Sequence, residues 1–181
     1  MRVIGGTAKG IKLNSVPGET TRPILDRVKV PLFDILSPEI ENARFLDLFA
    51  GSGGVGIEAL SRGARQVIFV EIARAAQETI ASNLRKTKLE SNATIFKGDA
   101  FAFIKRSKDS FDHIYIAPPQ FKGLWIEAVR AIAERPSLVN QRGKIIAQIH
   151  PQEYEILSLA TFSEIEKRRY GSTELVFYQK T

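Results

Sequence analysis

The residues best placed to do chemistry lie in one run, Leu46-Asp47-Leu48-Phe49-Ala50-Gly51-Ser52-Gly53-Gly54-Val55-Gly56, where a carboxylate precedes glycines at 51, 53 and 56. The spacing is G-x-G-x-x-G. Glycine at these places permits a tight turn out of a strand, lets a ligand touch the backbone of Ala50, Gly51, Ser52 and Gly53, and allows the next helix to pack closely on the sheet. About twenty residues past the first glycine an apolar run ends in Glu71, where a carboxylate can accept from two ribose hydroxyls. Strand, glycines, helix and acid in this order read as a nucleoside site rather than a bare turn.

Charge narrows the ligand. A helix N-terminus facing a pyrophosphate would be opposed by Asp47, four residues before Gly51. A ligand carrying an ammonium and a sulfonium suits that acid, which points to S-adenosylmethionine. In Lys97-Gly98-Asp99-Ala100-Phe101 the Asp99 carboxylate can cap a helix and also accept from an adenine amine, with Ala100 or Phe101 along the ring. A second centre is Ala117-Pro118-Pro119-Gln120-Phe121. Pro118 and Pro119 remove two backbone donors and hold the turn extended while the carbonyls stay free. Acceptors beside a methyl donor suit methylation of an exocyclic amine, whose lone pair must be swung out of the base towards the methyl carbon. On this reading the Ala117 and Pro118 carbonyls and the Gln120 amide oxygen hold the amine, and Phe121 offers a stacking face. Such a transfer needs no metal, and two histidines without cysteine offer no zinc site. His113 reads as a strand residue satisfied in the core, His150 lies nearer the ligand edge without a partner, and Trp125 reads as helix packing.

The elements that must position these groups alternate. Strands are expected near 44–49, 66–71, 93–97, 111–117 and 144–149, and helices near 54–62, 73–88, 99–106, 123–134 and 151–160. Residues 162–170 and 173–179 form a closing hairpin around Gly171-Ser172. The expected fold is therefore α/β: a doubly wound, mostly parallel seven-stranded sheet of Rossmann-like type with ligands at the carboxyl ends of its strands. Ahead of it, residues 1–13 suggest a small glycine-containing hairpin. Residues 24–36 have helical spacing, with Pro31 predicting a kink or two short helices. Residues 1–40 thus read as an extension and 41–181 as the cofactor domain.

The chain has 181 residues and a net charge of +6, with a pI near 9.7. Its 44% hydrophobic and 25% charged content describe a folded chain with no membrane-span pattern and no signal peptide, and the lack of cysteine makes the cytoplasm the expected compartment. Residues 1–29 hold six basic side chains against two acidic ones. Arg2, Lys9, Lys12, Arg22 and Arg27 are the candidates for contacting nucleic-acid phosphates. The clusters at 85–88, 105–108 and 167–169 read as solvated faces.

The form D-L-F-A-G-S-G followed by V-E resembles the first two motifs of Rossmann-like methyltransferases. The longer order I-G-G-x-x-K-G-x-K-L, T-R-P-x-x-D-R-V-K, L-D-L-F-A-G-S-G-G-V-G-I-E-A-L-S-R-G-A, V-E, G-D-A and P-P covers essentially the whole chain and resembles the RsmD family. The resemblance implies methyl transfer from S-adenosylmethionine to the N2 of a guanine in small-subunit (16S) ribosomal RNA, with rRNA or a small-subunit assembly intermediate as partner. In that family the fourth strand ends in Asp/Asn-Pro-Pro-Tyr/Phe. Pro118 and Pro119 match, whereas Ala117 and Gln120 depart, as do Ile24 and Val30-Pro31 in the helix motif. Two other readings stand beside this one: a catalytically silent RNA-binding relative, and a nicotinamide oxidoreductase.

Overall fold

The computed structural model describes residues 1–18 and 24–181, so Arg22 and the T-R-P motif lie outside the described residues. Seven strands form one sheet: β1 (Arg44–Asp47), β2 (Gln66–Glu71), β3 (Ala93–Lys97), β4 (Phe111–Ile116), β5 (Val139–Ile149), β6 (Phe162–Tyr170) and β7 (Thr173–Lys180), in the order β3-β2-β1-β4-β5-β7-β6. Strands β1 to β5 pair in parallel, and β7 runs antiparallel between β5 and β6. Helices α1 (Asp26–Ile40), α2 (Gly54–Ser61), α3 (Arg74–Thr87), α4 (Ala100–Arg106) and α5 (Leu124–Ala133) cover the two faces. This is the doubly wound Rossmann-like arrangement expected. The strand order reverses at β1/β4, the switch point where such sheets bind ligands.

The central strands are apolar almost throughout because both their faces are covered. One cluster packs α1, α2 and the N-terminal residues Val3, Ala8 and Leu13 against Phe45, Phe69 and Phe177. The other packs α4 and α5 against Leu46, Ile114 and Val176, with Trp125 buried as helix packing. Every residue of α2 is buried, including Glu58 and Ser61. A helix buried all round needs a cover on its outer side, and residues 1–13 supply it as a hairpin bridged at Arg2 and Lys12. Gly6, at φ +72°, lies so close to α2 that a Cβ would stand 1.6 Å from the Ser61 carbonyl oxygen. Glu58 accepts from the Ile4 and Gly5 N–H groups, each at 2.8 Å, and pairs with Arg62 and the fully buried Lys29. The Lys29 ammonium also donates to the Arg2 carbonyl, so one polar knot joins hairpin, α1 and α2.

Three expectations need correction. Residues 26–40 form one continuous helix rather than two short ones, Pro31 and Pro38 included, because Val28, Leu32, Phe33, Leu36 and Ile40 make one buried stripe. Strand β5 begins at Val139 rather than Lys144, through an irregular step opposite Phe111 and His113. The helix expected over 151–160 is only a 3-10 turn at Pro151–Glu153. Tyr154 then goes extended, its hydroxyl bonded to Glu164 and its ring under the Lys167 ammonium. Leu157 is buried, while Ile156 is 80% exposed. Without an apolar stripe to bury, tertiary contacts outweigh helix propensity.

Candidate active site

The carboxyl ends of β1, β2, β3 and β4 and the loops that follow them bring the two sequence centres to one edge. Asp47 closes β1 and is 2% exposed. Its Oδ2 accepts from the Gly56 N–H at 3.0 Å, the only hydrogen bond to this carboxylate among the described residues. Burial pushes the carboxyl up to about 7, against the pull of the Gly56 N–H, and the charge of Glu71 adds to the rise. Near neutral pH such a group is only partly ionised, and a cation beside it would complete the ionisation. Across the ladder from Asp47 stands Tyr115, whose hydroxyl donates to Gln148. Burial, with Asp47 beside it, pushes that phenol well up, so it stays a proton donor.

The loop after Asp47 turns through Gly51 (φ +53°) and Gly53 (φ +79°), conformations a side chain would strain. Gly56 is required by packing, since a Cβ there would lie 2.3 Å from the Phe69 ring. A Cβ on Gly51 would meet nothing within 4 Å, so this backbone faces open space. Glu71 fixes the loop: its two oxygens accept from the Gly51 and Ala73 N–H groups, both at 2.8 Å. A carboxylate has about four acceptor positions, so each oxygen retains one for a hydroxyl. A cleft opens here between Glu71 and Ile72 on one side and Gly98, Asp99 and Ala100 on the other, floored by Phe49 and Val70. Asp99 caps α4, Oδ1 accepting from the Ala102 N–H at 2.9 Å. The cap leaves acceptor positions on Asp99, so capping and ligand contact are compatible.

Beyond β4, Ala117 is half-buried, Pro118 buried, and Pro119 and Gln120 exposed. Phe121 is 63% exposed with φ +59°. That conformation costs a bulky residue about 1–3 kcal/mol unless its surroundings enforce it. Glu153 enforces it: Oε1 accepts from the Phe121 N–H at 2.7 Å, while Oε2 accepts from the His150 N–H at 3.2 Å. The Phe121 ring lies 5.0 Å from the His150 imidazole, whose Nδ1 accepts from the Gln152 N–H. Thus His150 finds the partner that its sequence did not reveal. His113 is buried as expected, but it is incompletely satisfied: Nε2 lies 3.4 Å from the Glu39 carbonyl and Nδ1 has no partner among the described residues.

The basic candidates do not form one group. Arg2 and Lys12 face each other across the N-terminal hairpin, and Arg2 lies 3.9 Å from Asp26. Lys9 sits in the hairpin's turn, which rests on the last turn of α2 through Thr7 and Ala8 bonds to Ser61. Arg27 stands apart at the start of α1, beside Gly171. The open end of the hairpin reaches the glycine loop: Asn83 bonds both Asn14 and the Ser52 carbonyl. Sequence reasoning missed Ile72, Asn83, Gln148 and Glu153. For Ile72 there was a signal, an apolar residue directly after the strand-end acid. For Asn83 and Gln148, and for the contact of Glu153 with Phe121, the partners come from distant parts of the chain and there was none.

Comparison with known proteins identifies the family. The family described as Conserved hypothetical protein 95 matches residues 1–179. The "Putative rRNA methyltransferase YlbH" of Bacillus subtilis is 37% identical over 185 residues, covering 99% of each chain. "Ribosomal RNA small subunit methyltransferase D" of Escherichia coli is 34% identical over 141 residues, 78% of this chain and 71% of that one. This chain belongs to the family, as an RsmD-like methyltransferase. Among solved structures, "Putative methyltransferase yhhF from Escherichia coli" superposes with a TM-score of 0.89 at 30% identity, covering 99% of this chain and 97% of that one. The RsmD-like family therefore accounts for the N-terminal hairpin and the closing β6–β7 hairpin as well as the central sheet.

Proposed function

We propose that this chain transfers a methyl group from S-adenosylmethionine to the N2 amine of a guanine in small-subunit rRNA. The observation that carries this reading is the edge-on juxtaposition of Asp47, the open Gly51 backbone and Glu71 with the Pro118-Pro119 turn across the β1/β4 switch point. The chain's relationship to proteins named as rRNA methyltransferases supplies the substrate class.

Asp47 takes the cationic end of the cofactor, Glu71 the ribose, and Asp99 with Ala100 the adenine, while Ala50 to Gly53 lie along it. The bound cofactor supplies an electrophilic methyl on a sulfonium: the N–C bond forms as the C–S bond breaks, and the bonding pair stays on sulfur. The Ala117 and Pro118 carbonyls and the Gln120 amide oxygen hold the hydrogens of the guanine amine. Their pull turns the nitrogen lone pair towards the methyl and draws off the proton released afterwards, which passes to solvent. Phe121, exposed and locked by Glu153, stacks on the base. Arg2, Lys12, Arg22 and Arg27 contact phosphates, with Lys9 further out on the hairpin turn.

Incubating undermodified small subunits with methyl-tritiated S-adenosylmethionine tests this. Wild type labels the rRNA. Gln120→Ala retains cofactor affinity and loses about a hundredfold in turnover, on the scale of one positioned hydrogen-bonding group. Equal turnover by the variant removes Gln120 from the site.

A further inference from the structure

Topology sorts the basic clusters that look alike in sequence. Arg85 and Lys86 end α3, which leads back to the amino end of β3, and Lys105 and Arg106 end α4, which leads back to the amino end of β4. Both therefore lie away from the ligand edge. Lys167-Arg168-Arg169 is different. Because β7 is antiparallel to β5, with Ile149 opposite Glu174, and Tyr170 is opposite Thr173, the β6–β7 turn comes up at the carboxyl edge. It stands one strand beyond His150 and two beyond Pro118, about 10 Å across the sheet.

Around that turn stand four cations, with Lys167 and Arg169 on one face of β6 and Arg168 on the other. Arg169 Nε donates to the Gly171 carbonyl at 3.1 Å. From α1, the Arg27 guanidinium lies 3.3 Å from where a Gly171 Cβ would be. Arg168 is held by Glu166 and its side chain is 52% exposed. The Lys167 ammonium sits 3.4 Å from the centroid of the Tyr154 ring. The acids nearest in register are Glu166, already paired with Arg168, and Glu174, opposite Arg169 and buried. The Arg27 and Arg169 guanidinium groups, both beside Gly171, repel one another, a cost that a polyanion relieves, and the Gly171 carbonyl holds that of Arg169 in place.

We infer that the β6–β7 turn with Arg27 is a phosphate clamp for single-stranded RNA flanking the target nucleotide, so that the RNA crosses the carboxyl edge from this turn to the Pro118 corner. The inference rests on the RNA methyltransferase reading for its partner, and on topology and anchoring for its place. Charged residues also guard exposed edge strands against pairing, and that role alone is the competing outcome.

The test is binding of a labelled single-stranded RNA by the full chain, read by fluorescence anisotropy between about 50 and 200 mM salt. Arg168→Gln/Arg169→Gln and, separately, Arg27→Gln weaken binding and lower the slope of log K against log salt by about 0.7 for each phosphate no longer neutralised. Melting temperature and S-adenosylmethionine affinity stay as in wild type. Affinity and slope equal to wild type in both variants overturn the clamp and leave edge protection. Methyl transfer by wild type, measured beside it, separates the two readings. A wild type that transfers while the variants bind unchanged refutes the clamp alone. A wild type that binds through these arginines and transfers nothing refutes the proposed reaction alone. A wild type that does not bind RNA refutes both.

Discussion

Asp47 is a carboxylate that folding alone leaves poorly solvated. Its proton is held to about pH 7 in the folded chain, against an ordinary value of 3.8 for the exposed side chain. Between those values the native state binds more protons than the unfolded one, so this residue's contribution to stability falls as pH rises from 3.8 to about 7 and is constant above. Asp47→Asn is therefore expected to unfold at higher denaturant concentration than wild type near pH 8, with the difference vanishing near pH 4. The same variant loses at least about tenfold in S-adenosylmethionine affinity, because the amide cannot pair with a cation. In wild type, calorimetry should show a proton released on cofactor binding near pH 6.5, since a cation beside Asp47 lowers its affinity for that proton. A variant destabilised at pH 8 that binds normally would take Asp47 out of the cofactor site. Glu153 acts through another residue. Glu153→Ala should lower turnover by about tenfold with cofactor affinity unchanged, yet change nothing further in a Phe121→Ala background, because its role is to hold that ring. Additive losses in this double-mutant cycle would mean that Glu153 acts elsewhere.

Elements were legible in sequence wherever their signals are local. The glycine loop, Glu71, the Asp99 cap and the closing hairpin were readable because strand, turn and helix follow within a few residues of one another. The false helix at 151–160 shows the limit: Pro151, with Glu153 two residues on, gives a good start signal, but Glu153 is drawn to Phe121 and Tyr154 to Glu164. Nor could the spacing reveal that α2, short and buried on every side, depends on the first thirteen residues for its cover. That dependence has an energetic consequence in the Lys29–Glu58 pair, which is fully buried at 3.2 Å. Lys29→Met should cost about 3 kcal/mol of stability, the low end for a broken buried pair, because Glu58 keeps Arg62 and the two backbone donors. Lys29→Met/Glu58→Leu should cost less than the single replacements Lys29→Met and Glu58→Leu together, since each single variant keeps one buried charge without the other, although the Ile4 and Gly5 N–H groups lose their acceptor. Urea denaturation of the three variants measures this, and additive losses would contradict a coupled pair.

At the scale of the whole molecule, the fold sets two kinds of surface at one edge. An acid-lined cleft follows β1, β2 and β3, and a turn rich in free carbonyls follows β4. The net charge of +6 is not spread evenly with respect to that edge: the ends of α3 and α4 carry cations away from it, while Arg27 and the β6–β7 turn carry them towards it. A small cationic cofactor and a large polyanionic substrate can thus approach the same place from different sides without competing for the same charges. The most direct test of this account is a nucleoside-resolved mass-spectrometric map of small-subunit rRNA after incubation with S-adenosylmethionine and this protein, beside an Asp47→Ala control. The account predicts a single new methyl group, on the exocyclic N2 of one guanine, that is absent with the control. A map with no new methyl group, or with one on another atom or another kind of base, would contradict it.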